Sequence, residues 1–111
     1  MKKQTTILVD NLHAYFTHQA NAERAMNCLT HNGPYRTFQQ NNGRINFIST
    51  DPVYGDFYAV IVEPVSNDTY SLRTAFRYDQ TEWTKIQTRL FRKGGRFISN
   101  PVMPIVFKHE S

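Results

Sequence analysis

At 111 residues and 40% apolar content, the chain is sized for a single domain, 1–111, with one modest core. One cysteine excludes an intrachain disulfide and fits a reducing compartment. No apolar stretch approaches the ~18 residues needed to cross a bilayer, and Ile7 to Val9 is too short an apolar run for an export signal. A cytoplasmic protein without membrane contact is expected, and its net charge of +4 favours polyanionic partners.

Lys3 to Val9 reads as a short leading strand. From Asn11 to about His31, Leu12, Phe16, Ala22, Met26 and Leu29 recur at near-helical spacing, with a possible break at Thr17 to Asn21. Cys28 falls among the apolar residues and reads as a buried structural thiol. Asn32-Gly33-Pro34 ends the helical region. Tyr35 to Gln39 and Arg44 to Ser49 then flank Asn41-Asn42-Gly43, a hairpin signal. Phe57 to Glu63 forms a third strand, closed by Pro64, and Thr69 to Tyr78 a fourth. Asp79 and Glu82 have capping-box spacing and open a helix with Trp83, Ile86 and Leu90 on one stripe. Gly94-Gly95 ends it, Arg96 to Ser99 and Val102 to Phe107 offer one or two further strands, and His109 is expected beyond the ordered fold. The expected fold class is α+β: an amino-terminal helical region packed on an antiparallel meander of about four strands, followed by a basic helix.

The richest stretch is Ser71 to Tyr78. Regular alternation there puts Tyr70, Leu72, Thr74 and Phe76 on one face and Ser71, Arg73, Ala75 and Arg77 on the other. Arginine matches phosphate oxygens in a fork and keeps its charge, so Arg44, Arg73 and Arg77 are candidate phosphate clamps. From Lys85 to Lys108 there are basic residues and no carboxylate. Lys85, Arg89 and Arg92, with Arg36, extend the substrate-binding set. Tyr35, Tyr58 and Tyr78 are candidate stacking surfaces for bases. RNA cleavage without metal needs a proton acceptor and a proton donor, and histidine serves either role near neutral pH. His13, His18 and His31 are the candidates. No Walker loop and no zinc-type Cys/His spacing occurs in the sequence, so no cofactor or metal is expected.

The order of elements, with a His-bearing helical start and a late strand reading LRTAFRYD, resembles the barnase–EndoU–colicin–RelE superfamily of small ribonucleases, in its phage and polymorphic-toxin branches. The resemblance covers roughly His13 to Tyr78. It implies a metal-independent endoribonuclease that cleaves cytoplasmic tRNA or mRNA by attack of the 2′-hydroxyl. His18 would be the helical acid or base, with His13 and His31 as alternatives. Thr74 would be the hydroxyl beside the aromatic Phe76, and Arg44 or Arg73 would contact phosphate. An immunity or antitoxin protein, or a host protein, would be the protein partner. The alternative is a non-catalytic phage accessory factor that binds nucleic acid or protein.

Overall fold

The computed structural model describes residues 3–10 and 19–110. Among these the chain order is β1 (Thr5–Asp10), α1 (Gln19–Asn32), β2 (Arg36–Gln39), β3 (Ile45–Thr50), β4 (Phe57–Ser66), β5 (Thr69–Tyr78), α2 (Gln80–Arg92), β6 (Arg96–Ile98) and β7 (Ile105–Glu110). The described strands form one seven-stranded sheet in the order β6-β2-β3-β4-β5-β1-β7. The pairs from β6 to β5 are antiparallel, whereas β1 is parallel to both β5 and β7.

This overturns the expected helical region on a four-stranded meander. The sheet is mixed and seven-stranded, and the leading strand enters it between β5 and β7. Its partners, Thr69–Ser71 and Ile105–Glu110, lie far along the chain, so no turn signal announces the pairing. His109 is also placed differently from expectation: it lies in β7 opposite Val9. Residues 11–18, the first part of the expected helical region, fall outside the described residues.

The two helices cover opposite faces of the sheet. On β3, Ile45 and Phe47 enter a core with Tyr58, Val60, Val62 and Leu72, onto which Ala25, Cys28 and Leu29 of α1 pack. Ile48, one residue on, points the other way and joins Phe38 beneath Trp83, Ile86 and Leu90 of α2. Cys28 is buried as expected, and that burial pushes its thiol pKa up.

Local chemistry fixes the joints. Asp79 accepts the Glu82 N–H at 2.8 Å and the Glu82 carboxylate accepts the Asp79 N–H, completing the capping box. Between β2 and β3, the Gly43 N–H donates to the Gln40 carbonyl (3.0 Å) and the Gln40 N–H to the Arg44 carbonyl (2.8 Å), with Gly43 at φ 90°. Asn41-Asn42-Gly43 is thus a three-residue hairpin loop whose glycine takes the left-handed position. Pro64 does not close β4, which runs on to Ser66. Pairing with β3 ends at Val62, so Pro64 lies where β4 pairs only with β5.

The β3–β4 loop is ordered by buried Asp51. Its carboxylate accepts the Val53 N–H (2.8 Å), the Tyr54 N–H (3.3 Å) and Arg24 Nε of α1 (2.6 Å). Arg24 also lies over the Tyr54 ring, 4.7 Å from its centroid.

Candidate nucleic-acid interface

A β-bulge in β5 builds the site. Thr74 pairs with Ile61 of β4 while Leu72 pairs with Val62, which leaves Arg73 as the extra residue between them. Leu72 enters the core under α1. Thr74 lies opposite Ile61 on the other face, and the Arg73 guanidinium reaches Glu63 of β4, on Ile61's side. The expected alternation therefore fails at this point: Arg73 and Thr74 share the face on which α2 lies.

Three charged groups meet there. Glu63 Oε1 lies 3.0 Å from Arg44 Nε and 3.6 Å from Arg73 Nε, and all three side chains are about half-exposed. Each arginine approaches the carboxylate through Nε, so its Nη donors remain for a further acceptor. Asn46, two residues on from Arg44 and therefore on the same face, is buried and accepts from Gln40 Nε2 at 3.3 Å. Thr74 is half-buried beside this cluster.

Next to Thr74 a row of aromatic rings begins. Phe76 is 45% exposed and stacks on Tyr78 (5.8 Å between centroids), which stacks on Trp83 (6.2 Å), which stacks on Phe57 (5.8 Å). Tyr35 continues the row at 6.1 Å from Phe57. The Tyr78 hydroxyl pKa is pushed up to about 12 by burial and by the Glu82 carboxylate, against an opposing effect of Arg89. Glu82 and Arg89 thus lie on the edge of α2 that faces β5. Lys93, which follows the last residue of α2, lines a cleft of about 470 Å³ with Leu90 and with Gln40, Asn41 and Asn42 of the β2–β3 hairpin.

Other residues expected at the site lie elsewhere. Arg77, expected beside Arg73, is on the α1 face opposite Tyr58 and grips Asp56 through Nε (2.7 Å) and Nη2. Tyr58, expected to stack on bases, is fully buried. Arg36 shares the α2 face but sits on β2, about 14 Å from β5 by three strand spacings; it lies over Phe97, 4.6 Å from the centroid. Lys85 and Arg92 are exposed on α2, turned further from the sheet than Arg89 by helical spacing. His31 lies in the last turn of α1, on the opposite face, its Nδ1 2.8 Å from the Asn27 carbonyl oxygen. His13 and His18 lie outside the described residues. Glu63 was missed by sequence reasoning, because the following proline marks it as a strand end.

Among the described residues, no cluster of three or more His, Cys, Asp or Glu forms a metal cage, and no helix is long and apolar enough to cross a membrane. No family model, no curated protein and no solved structure matches this chain.

Proposed function

We propose that this chain is a metal-independent endoribonuclease acting on single-stranded RNA along the exposed strip of β5. The observation that carries the reading is Glu63 held between Arg44 and Arg73, beside the Thr74 hydroxyl and the exposed Phe76 ring. Half-exposed arginines with Nη donors to spare suit a phosphodiester, whose charge grows as the phosphorane forms. An exposed aromatic ring offers an unpaired base a stacking surface, which a duplex does not need. The resemblance of the LRTAFRYD strand to small ribonucleases points the same way.

In this reading Glu63 accepts the 2′-hydroxyl proton, and the resulting alkoxide oxygen attacks the adjacent phosphorus. Arg44 and Arg73 stabilise the equatorial oxygens while Thr74 orients them. The bond from phosphorus to the 5′ oxygen breaks, leaving a 2′,3′-cyclic phosphate and a 5′-hydroxyl. The departing 5′ oxygen takes its proton from water; His31 does not serve, since α1 lies across the sheet from Thr74, and His18 directly precedes α1 in the chain. The test is to incubate purified protein with total cellular RNA in EDTA and map the ends. Cuts bearing cyclic phosphate, abolished in Glu63→Gln and in Thr74→Ala, are expected. RNA that stays intact at high protein concentration overturns the enzymatic reading and leaves a binding module.

A further inference from the structure

The hairpin between β2 and β3 carries four consecutive amides, Gln39, Gln40, Asn41 and Asn42. Three of them are engaged locally. Gln39 Oε1 accepts from Arg96 (3.4 Å), Gln40 Nε2 donates to Asn46 Oδ1 (3.3 Å), and Asn42 Oδ1 accepts the Arg44 N–H (3.0 Å). Asn41 is different. The hairpin's own hydrogen bonds run between backbone groups of Gln40, Gly43 and Arg44, and the exposed Asn41 side chain leans toward Gly94. A Cβ at Gly94 would stand 3.5 Å from Asn41 Oδ1, in ordinary contact, so the amide lies against the turn that follows α2.

The Asn41 amide borders the cleft of about 470 Å³, which is large enough to admit a nucleotide. Leu90 supplies an apolar patch for the plane of a base, and Lys93 an ammonium group. A neighbouring cleft of about 320 Å³ extends past Gly43 and Gly94 to Arg96. Gln40, which lines the cleft, donates to the Arg44 carbonyl and to the Asn46 side chain, so the cleft adjoins the start of the strand that follows Arg44.

We propose that this cleft is a nucleobase subsite in which Asn41 reads adenine and Lys93 holds that nucleotide's phosphate. The proposal rests on the RNA reading above and gives it a base preference. A carboxamide presents one donor beside one acceptor, which matches the N7 acceptor and N6 donor of adenine. On that same Hoogsteen edge guanine offers two acceptors, N7 and O6, so an Asn41 carboxamide that reads this edge would set its carbonyl against a second acceptor. Lysine is a compact point charge that suits a phosphate without a fixed fork geometry.

The test measures binding of 2′-O-methyl oligouridylates, which lack the attacking hydroxyl, each carrying one central adenosine, guanosine or cytidine. Wild-type protein should bind the adenosine strand about tenfold more tightly than the guanosine or cytidine strand. Asn41→Ala should abolish that preference while binding to plain oligouridylate persists, and Lys93→Ala should weaken all strands alike. Equal binding of all strands by the wild type, a preference for guanosine or cytidine, or an adenosine preference that survives Asn41→Ala overturns the adenine assignment alone. Failure to bind any strand overturns the RNA reading together with it.

Discussion

Arg73 and Thr74 are neighbours in the chain yet lie on one face of the sheet, because Arg73 is the extra residue of a β-bulge. On an unbroken strand Arg73 would share its face with Arg77. Here Arg77 pairs with Asp56 on the other side, and Arg73 joins Arg44 around Glu63. Bulges re-aim a side chain at the cost of one ladder position, and this one gathers cation, carboxylate and hydroxyl on one surface.

If that surface binds phosphates, Arg73→Ala and Arg44→Ala should each weaken single-stranded RNA binding. Each should also lower the slope of log affinity against log salt by about 0.7 for every phosphate left without its cation. Arg77→Ala, on the opposite face, should leave the slope unchanged. Titrations at several salt concentrations measure this, and a slope change for Arg77 equal to that for Arg73 would refute the assignment of faces.

Phe76 is the solvent-exposed ring at the β5 end of the aromatic row. Phe76→Ala should cost about 1–3 kcal/mol of single-strand affinity, the range for one stacked base. Trp83 stands two rings away through Tyr78, so RNA binding should also change its fluorescence. Phe76→Leu, which keeps apolar area but not the ring, separates stacking from simple burial.

Asp51 gives the fold an acid-sensitive joint. Burial alone would raise its carboxyl pKa, but the Arg24 hydrogen bond and the Val53 and Tyr54 N–H groups outweigh that and hold it below the ordinary carboxylate value. A depressed folded value stabilises the protein above the unfolded pKa, near 3.9, and the contribution disappears as pH falls through the folded one. Asp51→Asn should therefore lower stability at neutral pH and shrink the stability difference between neutral pH and about pH 3. Denaturant midpoints at the two pH values test it.

Gly95 is required for packing. A Cβ there would fall 2.2 Å from the Phe38 ring and 2.9 Å from the Leu90 carbonyl oxygen, and Phe38 is fully buried. Gly95→Ala should destabilise by about 1–3 kcal/mol, the usual cost of overpacking a filled core. Gly55→Ala, with no atom within 4 Å but a φ of 73°, should show only the smaller cost of backbone strain.

Much of the local structure is legible in the sequence. The ends of β5, the Asp79–Glu82 cap and the Asn41–Gly43 loop all follow from short-range turn and capping chemistry. The sheet order is not, since β1 finds its parallel partners across most of the chain and no local residue encodes them. The site is half legible. Arg44, Arg73 and Thr74 stand out by type. The bulge that unites Arg73 with Thr74 and sends Arg77 away leaves no trace in a strand with regular alternation. Glu63 is hidden because Pro64 reads as a terminator, whereas β3 has already ended at that level and the proline is tolerated.

The most direct measurement compares one RNA oligonucleotide with the same strand carrying 2′-deoxy sugars, both incubated with the protein in EDTA. The expected result is cleavage of the RNA alone, to a 2′,3′-cyclic phosphate, with no product from Glu63→Gln. RNA that is bound but left whole, or deoxy strand cut as readily as RNA, would contradict a 2′-hydroxyl attack assisted from the β5 surface.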